Sequence, residues 1–367
     1  MRTIDNIKII VYHGQDKDNP IVRKFRELKG KEFIECDESR TMDSAAARLK
    51  NAGVPSKEVV ILKQYKGRII RRCPGTPGMI CCNYMIINTG FNCLYDCTYC
   101  FLNTYLNSYG IVQFINEGIS MSELRALTAE KAAVRIGTGE FTDSLMLDQI
   151  TGIGASLIRS ASHYRNLFLE LKTKSSNIEH LLSVPDKGNA VLAWSLNTER
   201  NIRLYEAGTA ALDARIQAAA AACRAGYLVA FHFDPIIIYP DWEREYLDVL
   251  DRLFRAIDAE KAAWISLGCF RHSPGFKEAM HGASSGPSLT AGEMFPGPDG
   301  KFRYLKGIRI GVYHTMLDRI RSYGGTTFVY LCMESASVWR SVFGIEYKNS
   351  DELESAFGNH LKNYFIQ

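Results

Sequence analysis

The sequence predicts an α/β protein built around a partial (β/α)6 barrel, with a small N-terminal α/β lobe and a C-terminal extension. Two observations predict this fold. Short apolar runs of strand length alternate with stretches of helical period, and a chain of 367 residues with 46% hydrophobic content is long enough for a large core. Strand, helix, strand repetition favours parallel pairing with right-handed crossovers. The expected bounds are 1–83 for the lobe, 84–275 for the barrel and 276–367 for the extension.

The N-terminal lobe is predicted from strands that alternate with helices. The turn-rich run RCPGTPG, at residues 72–78, is the expected boundary between the lobe and the barrel. The predicted lobe elements are strands at Ile7–Val11 and Phe33–Ile34 and helices at Ile21–Leu28 and Ala45–Lys50.

Six apolar runs after this boundary predict the strands of the barrel. Because functional residues in such barrels lie at the carboxyl ends of the strands, we expect the site in the loops that follow them. The predicted strands are Met85–Asn88, Ala133–Ile136, Leu167–Leu171, Val191–Ser195, Tyr227–Phe231 and Trp264–Leu267, and the helices between them include Asp148–Ser160, Asp213–Ala225 and Trp242–Ile257. After Cys269 the pattern predicts an exposed loop at Ser284–Gly300, a helix at Ile310–Ser322, a strand at Thr327–Leu331 and a helix at Asp351–Asn363.

Composition limits the class of protein. The 44 basic and 40 acidic residues leave a slight positive excess, which permits a phosphate-rich partner without arguing strongly for one. No window reaches the roughly twenty uninterrupted apolar residues of a membrane helix, so we expect no integral membrane protein. The first residues do not combine a basic start with an apolar run, so we expect a cytoplasmic protein with reduced cysteines.

The most specific motif is the spacing Cys93-x-x-x-Cys97-x-x-Cys100, with Tyr99 directly before the last cysteine. Three thiolates spaced this closely can bind three irons of a [4Fe-4S] cluster and leave the fourth iron without a protein ligand. S-adenosylmethionine can chelate that iron, and one electron from the reduced cluster then yields a 5'-deoxyadenosyl radical. The motif therefore predicts a radical S-adenosylmethionine (radical SAM) barrel, with Tyr99 among both the catalytic and the cofactor-binding residues.

Zinc is the alternative ligand for this triplet. Structural zinc normally takes four ligands in paired spacing, and no fourth cysteine or histidine lies near the triplet on its C-terminal side. A second cluster built from Cys73, Cys81 and Cys82 stays open, although their spacing matches no known pattern. The cysteines outside the triplet are most simply buried or idle thiols: Cys36, Cys73, Cys81, Cys82, Cys223, Cys269 and Cys332.

Polar residues after the second and third predicted strands are candidates for binding S-adenosylmethionine. Gly139 lets the backbone approach a ligand, and the carboxylate of Glu140 can accept hydrogen bonds from the ammonium group; we also place Glu140 among the catalytic residues. Lys174 can pair with the methionyl carboxylate, although Lys172 lies on the same face of the strand. An ordinary turn and surface lysines are the alternatives.

Further candidates follow the later strands. Ser195 and Asn197 can hydrogen-bond polar atoms of the ligand, or they can cap the next helix. A histidine at position 232 is at least as simply explained as a structural residue satisfied by its neighbours. Other candidates at the barrel mouth are Asp234, Arg271 and His272.

Basic residues cluster at 66–72 and again at 301–309, where Phe302 and Tyr304 lie between them. Arginine interleaved with aromatic side chains suits phosphate contacts and base stacking. Solvated surface charge is the alternative, and it is the one that the sequence favours.

The chain resembles the spore photoproduct lyase family of radical SAM enzymes. The similarity lies in Cys93–Cys100 (CLYDCTYC), in Thr173–Lys174, in Glu206–Thr209 with Asp213–Arg215, and in the helix that begins at Asn19–Pro20. The resemblance implies hydrogen abstraction from C6 of a cross-linked thymine dimer, cleavage of its methylene bridge, and hydrogen return that restores two thymines in DNA. It also implies a reductant such as flavodoxin or ferredoxin.

The chain departs from this family at two positions. The family's hydrogen-donating cysteine is expected just past the second strand, yet there is no cysteine between Cys100 and Cys223, and Glu140 occupies the approximate place. The tyrosine expected after the last cluster cysteine is Phe101. Two other functions therefore stay open: a radical SAM enzyme of the same superfamily acting on a different small molecule or peptide, and a non-catalytic iron-sulfur protein that binds nucleic acid.

Overall fold

A curled sheet of eight strands dominates the computed structural model, which describes residues 1–37, 41–106, 108–116, 121–279 and 288–364. The strands, in chain order, are β1 (Ile9–His13), β2 (Glu32–Cys36), β3 (Val59–Lys63), β4 (Ile70–Arg72), β5 (Met85–Ile87), β6 (Gly90–Phe91), β7 (Asp96–Cys97), β8 (Ile111–Phe114), β9 (Val134–Gly137), β10 (Leu167–Thr173), β11 (Asn189–Ser195), β12 (Glu206–Ala207), β13 (Leu228–Ile236), β14 (Ala262–Cys269), β15 (Arg271–His272), β16 (Phe295–Pro296), β17 (Phe302–Arg303) and β18 (Phe328–Leu331).

The helices alternate with the strands along most of the chain. They are α1 (Pro20–Arg26), α2 (Met42–Asn51), α3 (Leu102–Tyr105), α4 (Met121–Glu130), α5 (Asp148–Thr151), α6 (Ile153–Ala161), α7 (Glu179–Leu182), α8 (Glu199–Tyr205), α9 (Leu212–Arg224), α10 (Trp242–Ala256), α11 (Phe276–Ala279), α12 (Lys306–Ser322), α13 (Ala336–Phe343) and α14 (Ser350–Leu361). Among the described residues, no helix is both long enough and apolar enough to cross a membrane.

The curled sheet confirms the predicted half-barrel. Its order is β18-β14-β13-β11-β10-β9-β5-β4, and all neighbours from β5 to β18 pair in parallel, with β4 antiparallel at the edge. All six predicted barrel strands are present. The seventh parallel strand, β18, lies in the segment predicted as a C-terminal extension. Hydrogen bonds of this sheet cross both expected domain boundaries, between β4 and β5 and between β14 and β18. The domain bounds at 83 and 275 stay predictions.

The N-terminal lobe is a second sheet, of order β2-β1-β3-β8-β6. Strands β1 and β2 and helices α1 and α2 lie within a few residues of their predicted positions. The sequence analysis missed β3, although it is an apolar run of strand length, and also missed β6 and β8. These last two come from beyond residue 83, so the cluster loop between them connects the lobe to the barrel.

Helices pack against the barrel sheet because their apolar residues recur at helical spacing. Helix α10 buries Tyr246, Val249, Leu250 and Leu253, positions that share one face. These side chains join a core with the strand residues Trp194 and Trp264. Burial of a large apolar side chain contributes about 1.5–3 kcal/mol, so this face holds the helix on the sheet.

One predicted helix is broken in two. The segment predicted as one helix at Asp148–Ser160 forms α5 and α6, separated by Gly152 in the left-handed region at φ 67°. The Gly154 N–H donates to Asp148 Oδ1 at 2.7 Å, which satisfies a free donor at the start of α6. A glycine at the break makes this conformation accessible without strain.

The predicted exposed loop at Ser284–Gly300 is described from residue 288 onward; residues 284–287 lie outside the described residues. From 288 to 300 the chain is exposed or half-exposed, as expected. It contains β16, which pairs with β17, and β17 pairs with β15 at the end of the barrel strands. The segment therefore forms a small three-stranded sheet beside the barrel mouth.

Close packing at the carboxyl end of β9 gives a first testable prediction. A Cβ at Gly137 would collide with the hydroxyl of Tyr84 and with the backbone carbonyl of Glu170. Since the carbonyl cannot move without breaking the sheet, Gly137→Ala is expected to lower the free energy of unfolding by about 1–3 kcal/mol. Gly311→Ala is the control, because it enters open space on helix α12 and should stabilise by about 0.5–1 kcal/mol. Urea unfolding curves that are equal for the two variants would contradict the packing described.

Candidate functional site

The loop that carries the cysteine triplet is held to the barrel by backbone hydrogen bonds. Strand β7 pairs antiparallel with β12, so that Cys97 lies opposite Glu206. The N–H of Thr98 donates to the carbonyl of Tyr205 at 2.9 Å. This pairing fixes the triplet beside the segment that follows the carboxyl end of β11.

The N-terminus and the lobe hold the other side of this loop. The Arg2 N–H donates to the Gly208 carbonyl at 2.7 Å, and its guanidinium donates to the Leu94 carbonyl at 3.2 Å. Lys57 Nζ donates to the Cys93 carbonyl at 2.7 Å. The cluster loop is therefore fixed from both sheets.

The three thiols lie close together. Cys93, Cys97 and Cys100 are free, with Cys97 buried and the other two half-buried. Burial raises the pKa of Cys93 to about 12 and also raises the pKa of Cys97, on which the charges of both other thiols act. Unliganded, the thiols would hold their protons, so that metal binding here must release them.

Which metal group the three thiols could bind depends on how they are arranged. Among the described residues, no three His, Cys, Asp or Glu side chains are arranged to hold one metal ion. A cubane needs a wider arrangement, because each cysteine binds a different iron. Burial raises the pKa of Cys100, and Lys174 and Lys57 only partly oppose that rise. The ligand role of the three cysteines stays a prediction.

Tyr99 is anchored by its hydroxyl. The phenol donates to a carboxylate oxygen of Glu206, and Lys174 Nζ lies 5.7 Å from the centroid of the ring. Burial alone would raise the pKa of Glu206, but Arg215 and Lys174 outweigh it and lower the pKa. An ionised acceptor therefore holds the residue before Cys100 in place.

Arg215 is the buried partner of this carboxylate. Its Nη2 lies 2.6 Å from Glu206 Oε2, and the two side chains are 0% and 1% exposed. The same guanidinium donates to the carbonyls of Ala210 and Ser195, each at 2.9 Å, and to Thr209 Oγ1 at 2.6 Å. Arg215 thus joins the end of β11 to the segment that pairs with the cluster loop.

Ser195 and Asn197 lie at the predicted end of a strand. Asn197 is 1% exposed; its Nδ2 donates to Glu206 Oε1 at 3.4 Å, and its Oδ1 accepts from the Tyr246 hydroxyl at 2.7 Å. The carbonyl of Ser195 is used by Arg215. These contacts hold Glu206 and its partner Arg215 in position. A direct contact of Ser195 or Asn197 with the ligand stays a prediction.

The loop after β9 lies against the end of β10. A Cβ at Gly139 would stand 2.7 Å from Lys172 Cβ, so glycine allows the close approach expected there. The carboxylate of Glu140 acts on both Cys100 and Lys172. Burial alone would lower the pKa of Lys172, but Glu140 and Glu170 raise it, so this lysine is a cation inside the barrel. Lys172 and Lys174 share the inward face, with Lys174 nearer the cluster loop.

Asp143 orients this loop, and the sequence analysis missed it. Its Oδ1 accepts from Thr173 Oγ1 at 2.7 Å, and its Oδ2 accepts from the N–H of Lys174 at 2.7 Å. Burial raises its pKa, while these donors favour the carboxylate. Its position in the sequence, three residues after Glu140, could have indicated this role. Asp143 therefore fixes the backbone from which Lys174 projects.

The histidine at the barrel mouth is satisfied by its neighbours. His232 Nε2 lies 2.5 Å from Glu170 Oε1, and its Nδ1 lies 2.7 Å from Ser266 Oγ. Arg271 makes two contacts with Asp234, at 3.0 and 3.1 Å. These groups form internal pairs in the barrel interior, which supports the structural interpretation of His232.

The second basic cluster is engaged in protein contacts. Arg309 pairs with Glu334 at 2.8 Å, and Lys301 donates to Thr76 at 3.0 Å. Arg303 is 4% exposed and donates to Asp299 at 2.6 Å. Arg303 and Arg309 are paired with carboxylates and Lys301 is half-buried, so these three residues are not solvated surface charge. Contact of this cluster with phosphate stays a hypothesis. In the first cluster, by contrast, Lys66, Arg68 and Arg72 are exposed.

Comparison with known proteins gives consistent matches. A family model described as "Spore photoproduct lyase" matches residues 81–278, more than half of the chain. The spore photoproduct lyase of Bacillus subtilis (strain 168) is 27% identical over 186 residues, 49% of this chain and 54% of that protein. That of Geobacillus sp. (strain Y412MC61) is 26% identical over 185 residues, with the same shares. The chain spans about half the length of the curated relatives it matches.

Solved structures extend the similarity of fold. A spore photoproduct lyase mutant with dinucleoside spore photoproduct has a TM-score of 0.75 at 20% identity, covering 89% of this chain and 98% of that chain. A second mutant, with bound AdoMet and the same dinucleoside, has a TM-score of 0.74 with the same identity and coverage. These matches show that the fold continues through both the lobe and the barrel.

Proposed function

We propose, because this chain belongs to the spore photoproduct lyase family, that it is a radical SAM enzyme that repairs the thymine dimer of spore photoproduct in DNA. The observation that carries the proposal is the cysteine loop. Its three thiols lie together at the barrel mouth, held by β12 on one side and by Lys57 and Arg2 on the other. Such a loop can present three ligands to a metal cluster and keep them in place.

Cys93, Cys97 and Cys100 would hold a [4Fe-4S] cluster. When bound, the cluster and S-adenosylmethionine supply a 5'-deoxyadenosyl radical. The chain's own residues would orient the ligand. Lys174, whose backbone N–H donates to Asp143 and whose Nζ lies near the Tyr99 ring, would pair with the methionyl carboxylate. Glu140, whose carboxylate acts on Cys100, would accept from the ammonium group of the ligand.

Three further residues complete the proposed ligand site. Tyr99 presents its ring while its hydroxyl is held by Glu206. Ser195 and Asn197 contribute backbone and side-chain polar groups at the end of β11. A direct contact of Ser195 or Asn197 with the nucleoside would be a second role, besides holding Glu206 and Arg215 in position.

Exposed aromatic residues beside the cluster loop suit a nucleic acid substrate. Phe101 is 46% exposed and Tyr105 is 60% exposed, and Tyr105 stacks on Phe141 at 5.9 Å and 18°. Arg71 lies over the same Phe141 ring at 4.8 Å. Exposed rings beside an arginine can stack bases next to the phosphate backbone. We propose DNA as the substrate, flavodoxin or ferredoxin as the reductant, and the cytoplasm as the location.

The test is anaerobic turnover by the reconstituted protein. With dithionite, S-adenosylmethionine and dinucleoside spore photoproduct, we expect both 5'-deoxyadenosine and restored thymine dinucleoside. Glu140→Gln should lower the rate of cofactor cleavage by about tenfold or more, since a neutral amide loses one charge-assisted contact. Lys66→Gln, on the exposed surface, is the control. Failure of the wild-type protein to form 5'-deoxyadenosine would reject the proposal.

A second candidate is favoured by one observation, the absence of cysteine from residues 101–222 together with phenylalanine at position 101. Without the expected thiol and phenol, the same radical could act on a different small molecule or peptide. Cleavage of S-adenosylmethionine without dimer repair would favour this candidate. Absence of cleavage with an intact cluster would favour an iron-sulfur protein that only binds nucleic acid.

A further inference from the structure

Lys172 is a cation at the barrel mouth to which the proposed function gives no role. It lies on β10, two residues before Lys174, so both side chains face the interior of the barrel. A Cβ at Gly139 would stand 2.7 Å from Lys172 Cβ and 3.1 Å from its Cε, so the stem of the lysine runs along this glycine. Its neighbours across the sheet, Ala193 and then Ala230, carry side chains too short to cover the ammonium group.

The ammonium group of Lys172 is available to a ligand. Among the described residues, none accepts a hydrogen bond from Lys172 Nζ or forms an ion pair with it, and the side chain is only half-buried. Burial alone would lower the pKa of this lysine, but the carboxylates of Glu140 and Glu170 raise it, so the group stays charged. An ammonium group can only donate, so its natural partner is an acceptor atom of a bound molecule.

The carboxylates deeper in the barrel already have cationic or hydrogen-bonding partners. Arg271 donates to both oxygens of Asp234, at 3.0 and 3.1 Å. Burial alone would raise the pKa of Glu170, but His232 and Arg135 lower it to about 2. The lysine is therefore not needed to hold either carboxylate.

The two lysines of β10 have different surroundings. The charge of Lys174 acts on Cys100 of the cluster loop, whereas that of Lys172 acts on Glu170 inside the barrel. Glu140 belongs to both surroundings, because its carboxylate acts on Cys100 and on Lys172. A molecule bound to Lys172 would therefore lie beside the proposed cofactor site rather than within it.

The charges around Lys172 favour a neutral ligand. Since Asp234 and Glu170 have their own partners, the ammonium group is balanced by the carboxylate of Glu140. A bound anion would add negative charge next to these carboxylates, whereas a carbonyl oxygen accepts from an ammonium group without adding charge. Thymine offers a carbonyl oxygen at O4 and another at O2, with an N–H between them that suits a carboxylate acceptor.

The position of Lys172 also suits the proposed reaction. A carbon of the damaged base must lie close to the nucleoside of the cofactor if a hydrogen atom is to pass between them. Glu140 is the residue proposed to hold the ammonium end of S-adenosylmethionine, and its charge reaches Lys172. A base fixed by Lys172 would thus lie next to the cofactor.

We propose that Lys172 donates a hydrogen bond to a carbonyl oxygen of the damaged thymine and so positions the dimer beside the cofactor. The inference rests on the proposed function and adds to it the residue that recognises the base. Because the contact is made to the base and not to the phosphate backbone, a dinucleoside without a phosphate should be recognised as well.

Binding of dinucleoside spore photoproduct to the reconstituted protein tests this contact. With the cluster left oxidised, S-adenosylmethionine is present but not cleaved, so that calorimetry measures binding without turnover. Lys172→Met keeps the length of the side chain and removes the donor, so it should raise the Kd of the dinucleoside by about tenfold or more. Its iron content and its Kd for S-adenosylmethionine should stay within about twofold of the wild type.

Lys50→Met is the matched control for this variant. Lys50 is exposed on helix α2 of the N-terminal lobe, and the same replacement there removes a charge that lies outside the barrel. The control should match the wild type in iron content and in the Kd of both ligands.

Analogues of the substrate test the contact without any change in the protein. A thiocarbonyl sulfur is a much weaker acceptor than a carbonyl oxygen, so sulfur can replace either O4 or O2 of the bases in the dinucleoside. With wild-type protein, one of these two analogues should bind about fivefold or more weakly than the parent dinucleoside. With Lys172→Met, the same analogue should lose less than about twofold, because its contact is already gone.

The outcomes separate this inference from the proposed function. Two results would overturn the assignment of Lys172 and leave the proposed function standing: Lys172→Met that binds the dinucleoside as tightly as the wild type, or wild-type protein that binds both thio analogues as tightly as the parent. A weaker Kd for S-adenosylmethionine in Lys172→Met would overturn it too, since the lysine would then belong to the cofactor site. Wild-type protein that neither binds nor repairs the dinucleoside would reject the proposed substrate, and the contact with it.

Discussion

Replacing Arg215 with methionine is expected to lower the free energy of unfolding by about 3–5 kcal/mol, since it leaves the carboxylate of Glu206 buried and unpaired. The variant also loses the hydrogen bonds to the carbonyls of Ser195 and Ala210. Because Glu206 holds the Tyr99 hydroxyl, the cluster loop should loosen as well. Urea unfolding and iron content after reconstitution measure the two effects.

Arg203→Met is the matched control for this experiment. Arg203 is exposed on helix α8, which leads into the same segment, and its replacement should change stability by less than about 0.5 kcal/mol. A second variant, Glu206→Gln, keeps the volume and removes the charge that Arg215 needs. If Arg215→Met behaved like Arg203→Met, the buried pair would not be what fixes the cluster loop.

Replacing any one of the triplet cysteines is expected to abolish cofactor cleavage. Cys97→Ala leaves two of the three proposed ligands, so the bound iron should fall from about four atoms per chain to less than about one. Production of 5'-deoxyadenosine should become undetectable. Iron analysis and chromatography of the reaction mixture measure these two quantities.

Cys223→Ala controls for the loss of a thiol elsewhere on the chain. Cys223 lies on helix α9, and the Cys223→Ala variant should keep its iron content and activity at the wild-type level. Full iron content in Cys93→Ala, Cys97→Ala and Cys100→Ala alike would contradict the assignment of these residues as ligands.

The barrel could be predicted from sequence because its signals are local. Each of the barrel strands β9, β10, β11, β13 and β14 contains an apolar run, and the helices between them show their own period. The Gly152 break was missed because a single glycine inside a helical pattern is often tolerated. The lobe strands β6 and β8 were missed because they return to the first sheet after the chain has entered the barrel.

The site could be predicted only where its residues are close in the chain. The triplet is a local pattern, and Glu140 and Lys174 follow from the rule that barrel sites lie at strand ends. The contact between Tyr99 and Glu206 joins residues 107 apart, and that between Arg2 and Leu94 joins residues 92 apart.

The central claim is that the triplet binds a [4Fe-4S] cluster with one iron open to S-adenosylmethionine. EPR of the anaerobic, reduced wild-type protein, recorded before and after addition of S-adenosylmethionine, tests it most directly. We predict the signal of a single reduced [4Fe-4S] cluster that changes shape when the nucleoside is added. A protein without that signal, or with a signal that S-adenosylmethionine leaves unchanged, would contradict the account.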